Sequence, residues 1–88
     1  MTNDEARVMK ALQSGQQLTA EQLAGASGLE AGRVHEAVMA LADRGLLAPT
    51  AGTPTTTWEL SANGRGYVQT TPGRAALDIP PIRKAARR

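Results

Sequence analysis

Apolar residues recur at intervals of three and four along residues 3–44, which is the spacing of amphipathic helices, and the interval becomes two over residues 55–60. The first pattern predicts several helices that share one core, and the second predicts a half-buried hairpin strand. The helical positions that we expect to face the core are Val8, Met9, Leu12, Leu23, Ala24, Val34, Ala37, Val38 and Leu41.

Capping residues and glycines predict where these helices begin and end. Thr2 and Thr19 are each followed three residues later by Glu or Gln, which is the capping-box pattern of a helix start. Gly15, Gly28 and Gly45 are placed to end the first, second and third helices. We therefore expect a third helix over residues 30–44, after a tight turn at Gly28.

The second half of the chain predicts strands first and short helices afterwards. Trp58 is expected to pack the sheet against the helices, whereas Gly64 and Gly66 should weaken the helix that contains them by about 1 kcal/mol each relative to alanine. The predicted strands lie at 16–18, 46–50 and 55–60, with a turn at 51–54. A helix capped by Ser61 follows and runs through Val68. A last helical turn, with Thr71 as its cap and Pro72 as its first residue, ends at Leu77.

The stretch 18–47 resembles the helix-turn-helix family, because Leu23, Ala24, Gly28, Leu29, Val34 and Ala37 fall at that family's spacing. Ser27 departs from the pattern, in which an apolar residue is usual. The segment GLLAPTAGTPTTTWEL resembles the wing of a winged helix, and SANGRGYV resembles the helix that often follows it. The resemblance implies an α+β, mainly α fold, a winged helix-turn-helix domain over residues 1–78. Residues 4–67 are also similar to the N-terminal winged-helix module of the archaeal and eukaryotic phenylalanyl-tRNA synthetase alpha subunit.

Composition argues against catalysis and against a bound metal or cofactor. The 88 residues suit one domain with a modest core, and they include no cysteine and a single histidine. His35-Glu36 begins like a metalloprotease signature, but Met39 stands where the second histidine belongs. We therefore expect no enzyme, no metal site and no cofactor. The acidic N-terminus lacks an apolar run, so we expect neither a signal peptide nor a membrane span. We therefore expect a cytoplasmic protein.

Positive charge is concentrated at the end of the chain. Residues 1–78 hold six basic and all eight acidic side chains, a net charge of −2, whereas residues 79–88 hold the other four cations, Arg83, Lys84, Arg87 and Arg88. We expect this tail to be disordered after Pro80-Pro81. It has the charge of a flexible arm for a nucleic-acid backbone, and this interpretation is favoured over the alternatives of a solubilising end or the stub of a longer chain.

The third helix carries the candidate nucleic-acid contacts. If this helix enters the major groove of DNA, Gly32 allows close backbone approach, Arg33 pairs with guanine, and His35 contacts a base or phosphate. Thr53 and Thr55 of the wing are candidate phosphate ligands. Without a nucleic-acid role, Arg33 would be a solvated arginine, Gly32 an incidental glycine and His35 an exposed histidine with no function. Thr53 and Thr55 would be ordinary strand-forming threonines.

Two function classes follow from this. The first is a small double-stranded-DNA-binding transcriptional regulator, a homodimer through its first or last helix. The second is a protein-interaction or RNA-associated module without sequence-specific DNA readout, in which Ala31, Met39 and Ala40 form an apolar contact face. The acidic body and the scarcity of cations on the third helix favour the second class, and the basic tail and the habit of the fold favour the first.

Overall fold

The computed structural model describes residues 1–50 and 56–78, and in these ranges the chain forms helices packed on a small sheet. The predicted turn at 51–54, with Thr53 and Thr55, and the tail 79–88 lie outside the described residues. The elements in chain order are α1 (Asn3–Leu12), β1 (Leu18–Thr19), α2 (Ala20–Ser27), α3 (Ala31–Asp43), β2 (Leu47–Thr50), β3 (Thr57–Leu60), α4 (Ala62–Gln69) and α5 (Thr71–Leu77).

Both predicted capping boxes are confirmed. The hydroxyl oxygens of Thr2 and Thr19 accept hydrogen bonds from the backbone N–H groups of Glu5 and Gln22, each at 3.1 Å. The Glu5 and Gln22 side chains in turn accept from the threonine N–H groups. Gly28 ends α2 in the left-handed conformation with φ of 79°, which costs a residue without a Cβ little. These signals are local, so the sequence alone carries them.

The first three helices bury the predicted apolar stripes against one another. Val8, Leu23, Val34 and Leu41 are completely inaccessible to solvent, and Ala24 is partly buried where α2 meets the core. Thirteen buried apolar residues of the described ranges form this core: Val8, Met9, Leu12, Leu23, Leu29, Val34, Ala37, Val38, Leu41, Leu47, Leu60, Val68 and Leu77. The core therefore fixes which side of α3 faces outward.

The strands form an antiparallel sheet in the order β1-β3-β2. Trp58 of the central strand lies opposite Leu18 on one side and Pro49 on the other. The first strand lies at 18–19, not at 16–18, because the pairing with β3 begins only there. Trp58 packs against the core as expected but stays partly exposed, as do both of its neighbours, so the predicted alternation is visible only at buried Leu60.

One expectation for the C-terminal helices was wrong. The cap of α5 is Thr70, not Thr71: its hydroxyl accepts from the Gly73 N–H at 3.0 Å and donates to the Tyr67 carbonyl at 2.6 Å. Pro72 is accordingly the second helical residue, where a backbone N–H would have no partner inside the helix. The intrinsic helix cost of Gly64 stays a prediction, but the structure gives this glycine a packing role: it is buried, and a Cβ at this position would overlap the carbonyl oxygen of Leu46. The glycine lets α4 dock against the segment that leads into β2.

Candidate nucleic-acid interface

The turn between α2 and α3 is closed by the residue that departs from the family pattern. The Ser27 hydroxyl donates to the Leu23 carbonyl at 2.6 Å, one turn earlier in α2. The same oxygen accepts from the Leu29 N–H at 3.3 Å, on the far side of Gly28. A polar residue is tolerated here because both sides of its hydroxyl are paired. These two hydrogen bonds tie the last turn of α2 to the residue that follows Gly28.

One face of α3 points away from the rest of the described chain. Gly32, His35 and Glu36 are exposed, and Met39 is 49% exposed, although large apolar side chains normally avoid water. With about 100° between successive residues, Gly32, Glu36 and Met39 share the side opposite Val34 and Leu41. The predicted outward face is confirmed. It carries few cations, and Glu36 gives it negative charge.

Arg33 lies at the edge of that face, where α3 meets α1, and it is bound to Asp4. Its Nη2 donates to Asp4 Oδ1 at 2.6 Å and its Nε donates to Asp4 Oδ2 at 2.9 Å. The Arg33 side chain is 55% exposed and that of Asp4 is 26% exposed. The hydrogen bonds from Arg33 hold the pKa of the Asp4 carboxyl below its ordinary value, so the carboxylate is charged at neutral pH. In the sequence Asp4 is an acid in the first turn of α1, which suits the positive end of the helix dipole, and nothing there indicates this contact.

A second ion pair joins the far end of α3 to α1. Arg44 Nη1 donates to Glu5 Oε1 at 3.0 Å. Glu5 is almost completely buried and also completes the capping box with Thr2. Consecutive acidic residues of α1 therefore engage both arginines at the ends of α3. Between the two helices lies a cleft of about 330 Å³, whose lining includes Asp4, Arg33 and Glu36.

The start of α3 differs from the other helix starts in the described ranges. Thr or Ser side chains cap α1, α2, α4 and α5, whereas the cap position of α3 is Glu30 and makes no side-chain hydrogen bond. The first-turn N–H groups of α3 thus receive no side-chain acceptor from the cap. Such groups, at the positive end of the helix dipole, suit a phosphate oxygen.

The described part of the wing is tied together by polar side chains near its base. Thr50 Oγ1 donates to Glu59 Oε2 at 3.0 Å across the β2–β3 pair, and Arg65 of α4 lies 3.8 Å from the other Glu59 oxygen. The candidate contacts Thr53 and Thr55 and the tail cations Arg83, Lys84, Arg87 and Arg88 lie outside the described residues, so their roles stay predictions.

Within residues 1–50 and 56–78, no group of three or more His, Cys, Asp or Glu side chains is arranged to hold a metal ion. No helix in those ranges has the length and apolar character needed to cross a membrane.

Comparisons with known proteins identify the fold. No protein-family model matches the chain, and no curated protein matches it. Among solved structures, the MarR family transcriptional regulator SPO1453 from Silicibacter pomeroyi DSS-3 is similar with a TM-score of 0.72 and 24% identity over 86% of this chain and 57% of that one. The adhesin competence repressor AdcR from Streptococcus pyogenes is similar with a TM-score of 0.62 and 26% identity over 88% of this chain and 52% of that one.

The predicted α+β, mainly α winged helix-turn-helix fold is confirmed by these likenesses and by the observed element order. The chain spans little more than half the length of either solved chain. One neighbour is described as a transcriptional regulator and the other as a repressor, and neither supports the resemblance to the phenylalanyl-tRNA synthetase module.

Proposed function

We propose that this chain is a double-stranded-DNA-binding winged-helix protein that regulates transcription. In this proposal α3 enters the major groove with Gly32, Arg33 and His35 toward the bases. The wing, through Thr53 and Thr55, and the basic segment 79–88 contact phosphates on either side. The observation that carries the proposal is the outward face of α3 together with its uncapped first turn, on a fold whose similar structures are a transcriptional regulator and a repressor.

The distribution of charge indicates which part of DNA affinity residues 1–78 supply and which part residues 79–88 supply. The α3 face has Glu30 and Glu36 beside its few cations, so this helix alone is a poor phosphate ligand. The four cations of residues 79–88 supply the charge that a polyanion requires. Each phosphate that a cation neutralises adds about 0.9 to the slope of log affinity against log salt. We therefore expect the tail to supply most of the salt-dependent affinity and α3 most of the base discrimination.

A fluorescence-anisotropy titration against a labelled nonspecific duplex at low salt tests the proposal. Wild-type protein should bind with an affinity that falls as salt is added. Deleting residues 80–88 should weaken binding and reduce the salt slope, while Arg33→Ala should weaken it with a smaller change in slope. Affinity that is unchanged in both variants would refute the proposed surface, and a flat response to salt would refute phosphate contacts altogether.

A protein-interaction or RNA-associated module is the second candidate, and exposed Met39 favours its protein-interaction form. A half-exposed methionine at the centre of an acidic helix face is better suited to an apolar partner surface than to a groove of phosphates. This candidate predicts weak or absent duplex binding by the wild-type chain. It also predicts loss of partner capture on Met39→Glu, with the melting temperature unchanged.

The homodimer that the sequence predicts belongs to the same proposal. Two copies would place two α3 helices on successive major-groove faces of one duplex, about 34 Å apart. Sedimentation equilibrium over a range of concentrations measures this directly. A monomer at every concentration, with one copy bound per duplex, would remove the dimer from the proposal.

A further inference from the structure

The Asp4–Arg33 pair links α1 to the edge of the candidate nucleic-acid face of α3. Asp4 is not needed to cap α1, because Thr2 and Glu5 already form the capping box. Both Asp4 oxygens are instead engaged by one guanidinium from α3. The two residues are 29 positions apart in sequence, so the pair exists only in the folded chain.

The atoms that Asp4 engages determine which hydrogen-bond donors of Arg33 remain available. Asp4 occupies the side edge of the guanidinium, formed by Nε and Nη2. The end of the fork, formed by Nη1 and the second proton of Nη2, points along the side-chain axis, on a side chain that is 55% exposed. Two donors in that arrangement match the O6 and N7 acceptors of guanine in the major groove.

The carboxylate also changes the arginine as a phosphate ligand. The Asp4 carboxylate cancels most of the long-range attraction of the Arg33 charge for a distant phosphate. The directional hydrogen bonds that the free end of the guanidinium can donate over a short distance are retained. Holding the long side chain in one rotamer further removes part of the conformational entropy that ordering an arginine on DNA would cost.

From this geometry, and resting on the proposed DNA-binding function, we propose that Asp4 is a specificity-determining positioning residue. It holds the side edge of Arg33 so that the end of the fork presents two donors to a guanine, and it reduces attraction of Arg33 to phosphates at any sequence. The contrast with Arg44 supports the assignment. Arg44 makes a single contact with the nearly buried Glu5, which is already committed to the cap.

The pair makes two measurable predictions of opposite sign for Asp4→Asn. Affinity for a nonspecific duplex should rise about twofold to fivefold, the range that loss of one exposed ion pair allows. Discrimination in favour of guanine should fall, because the neutral amide no longer fixes the guanidinium. A residue with only a structural role would leave the base preference unchanged.

The experiment uses the full chain and a duplex library with a randomised core. Wild-type protein is taken through rounds of selection, and the recovered duplexes are tested with each guanine replaced in turn by adenine. At the guanine read by Arg33, we expect the replacement to weaken wild-type binding by about fivefold or more. The loss should be about twofold or less in Arg33→Ala and in Asp4→Asn, while both variants keep wild-type melting temperatures within a few degrees.

Asp78→Asn is the matched control for charge, since it removes one exposed carboxylate at the end of α5. This variant should gain nonspecific affinity by the same general charge effect and keep the guanine preference. A guanine preference that survives intact in Asp4→Asn but is lost in Arg33→Ala would overturn the role of Asp4 and leave DNA binding standing. Failure of the wild type, Asp4→Asn and Asp78→Asn alike to bind any duplex in a salt-dependent way would refute the proposed function and this inference with it.

Discussion

Gly64 and Gly66 lie in the same helix, and replacing each by alanine should have opposite effects on stability. A Cβ at Gly66 would meet no other atom within 4 Å, whereas a Cβ at Gly64 would overlap the Leu46 carbonyl. The approach cannot be relaxed locally. Ser61 donates from its N–H to the Leu46 oxygen at 3.0 Å and from its hydroxyl to the Gly45 oxygen at 2.5 Å, which ties the start of α4 to that segment.

The magnitudes follow from helix propensity and overpacking. Alanine in place of an unconstrained helical glycine stabilises by about 1 kcal/mol, which raises the melting temperature of a domain of this size by about 4–8 °C. Gly66→Ala should show that gain. Gly64→Ala gains the same propensity but forces backbone apart at a cost of about 3 kcal/mol, the upper end for overpacking, for a net loss of about 2 kcal/mol and 8–16 °C.

Thermal unfolding followed by far-UV circular dichroism distinguishes the two variants. Each variant adds a single methyl group to the wild type within the same turn of one helix, so effects on the unfolded chain are matched. Equal shifts in melting temperature for the two variants would refute the close approach of α4 to Leu46. It would also remove the account of how the base of the wing is held.

Two further predictions concern α3. Gly32→Ala should stabilise the domain by about 0.5–1 kcal/mol, because a Cβ there meets nothing within 4 Å, yet it should weaken duplex binding. Gly66→Ala is the control, and it should match the stability gain and leave duplex binding unchanged. Unaltered duplex affinity in Gly32→Ala would contradict close backbone approach. For Asp4, whose pKa Arg33 lowers from the ordinary 3.8, the carboxyl titration followed by NMR should have a lower midpoint in the wild type than in Arg33→Ala. The stability that the pair contributes should be present above the unfolded-state pKa of Asp4 and lost as the pH falls through its folded-state pKa. Identical Asp4 titration midpoints in the wild type and Arg33→Ala would refute the pair in solution.

Local signals explain why much of the fold was predictable. The capping boxes at Thr2 and Thr19, and the left-handed glycine at Gly28, act within one turn of helix, so a single sequence contains both partners. The apolar stripe of α3 is similarly local, since its period alone determines that Val34 and Leu41 share a side. These features placed the exposed face of the candidate site correctly.

Contacts between distant segments were not predictable in the same way. The sequence shows that Gly64 is a poor helix former, but not that the Leu46 backbone lies against it. Asp4 looks like an ordinary first-turn acid, and its pairing with Arg33 follows only from how α1 crosses α3. The cap of α5 was misplaced by one residue because Thr70 and Thr71 are equivalent by type. The Thr70 hydroxyl makes a second hydrogen bond, to the Tyr67 carbonyl, which the sequence does not reveal.

The outward face of α3 as the DNA-reading surface is tested most directly by an NMR titration of the isotope-labelled chain with a short duplex. We predict that the largest amide shifts fall on the first two turns of α3, at Gly32, Arg33, His35 and Glu36, with smaller shifts at the base of the wing. Saturable binding in which those amides stay unmoved while the shifts cluster elsewhere, for example on α5, would contradict the assignment of α3 as the recognition helix.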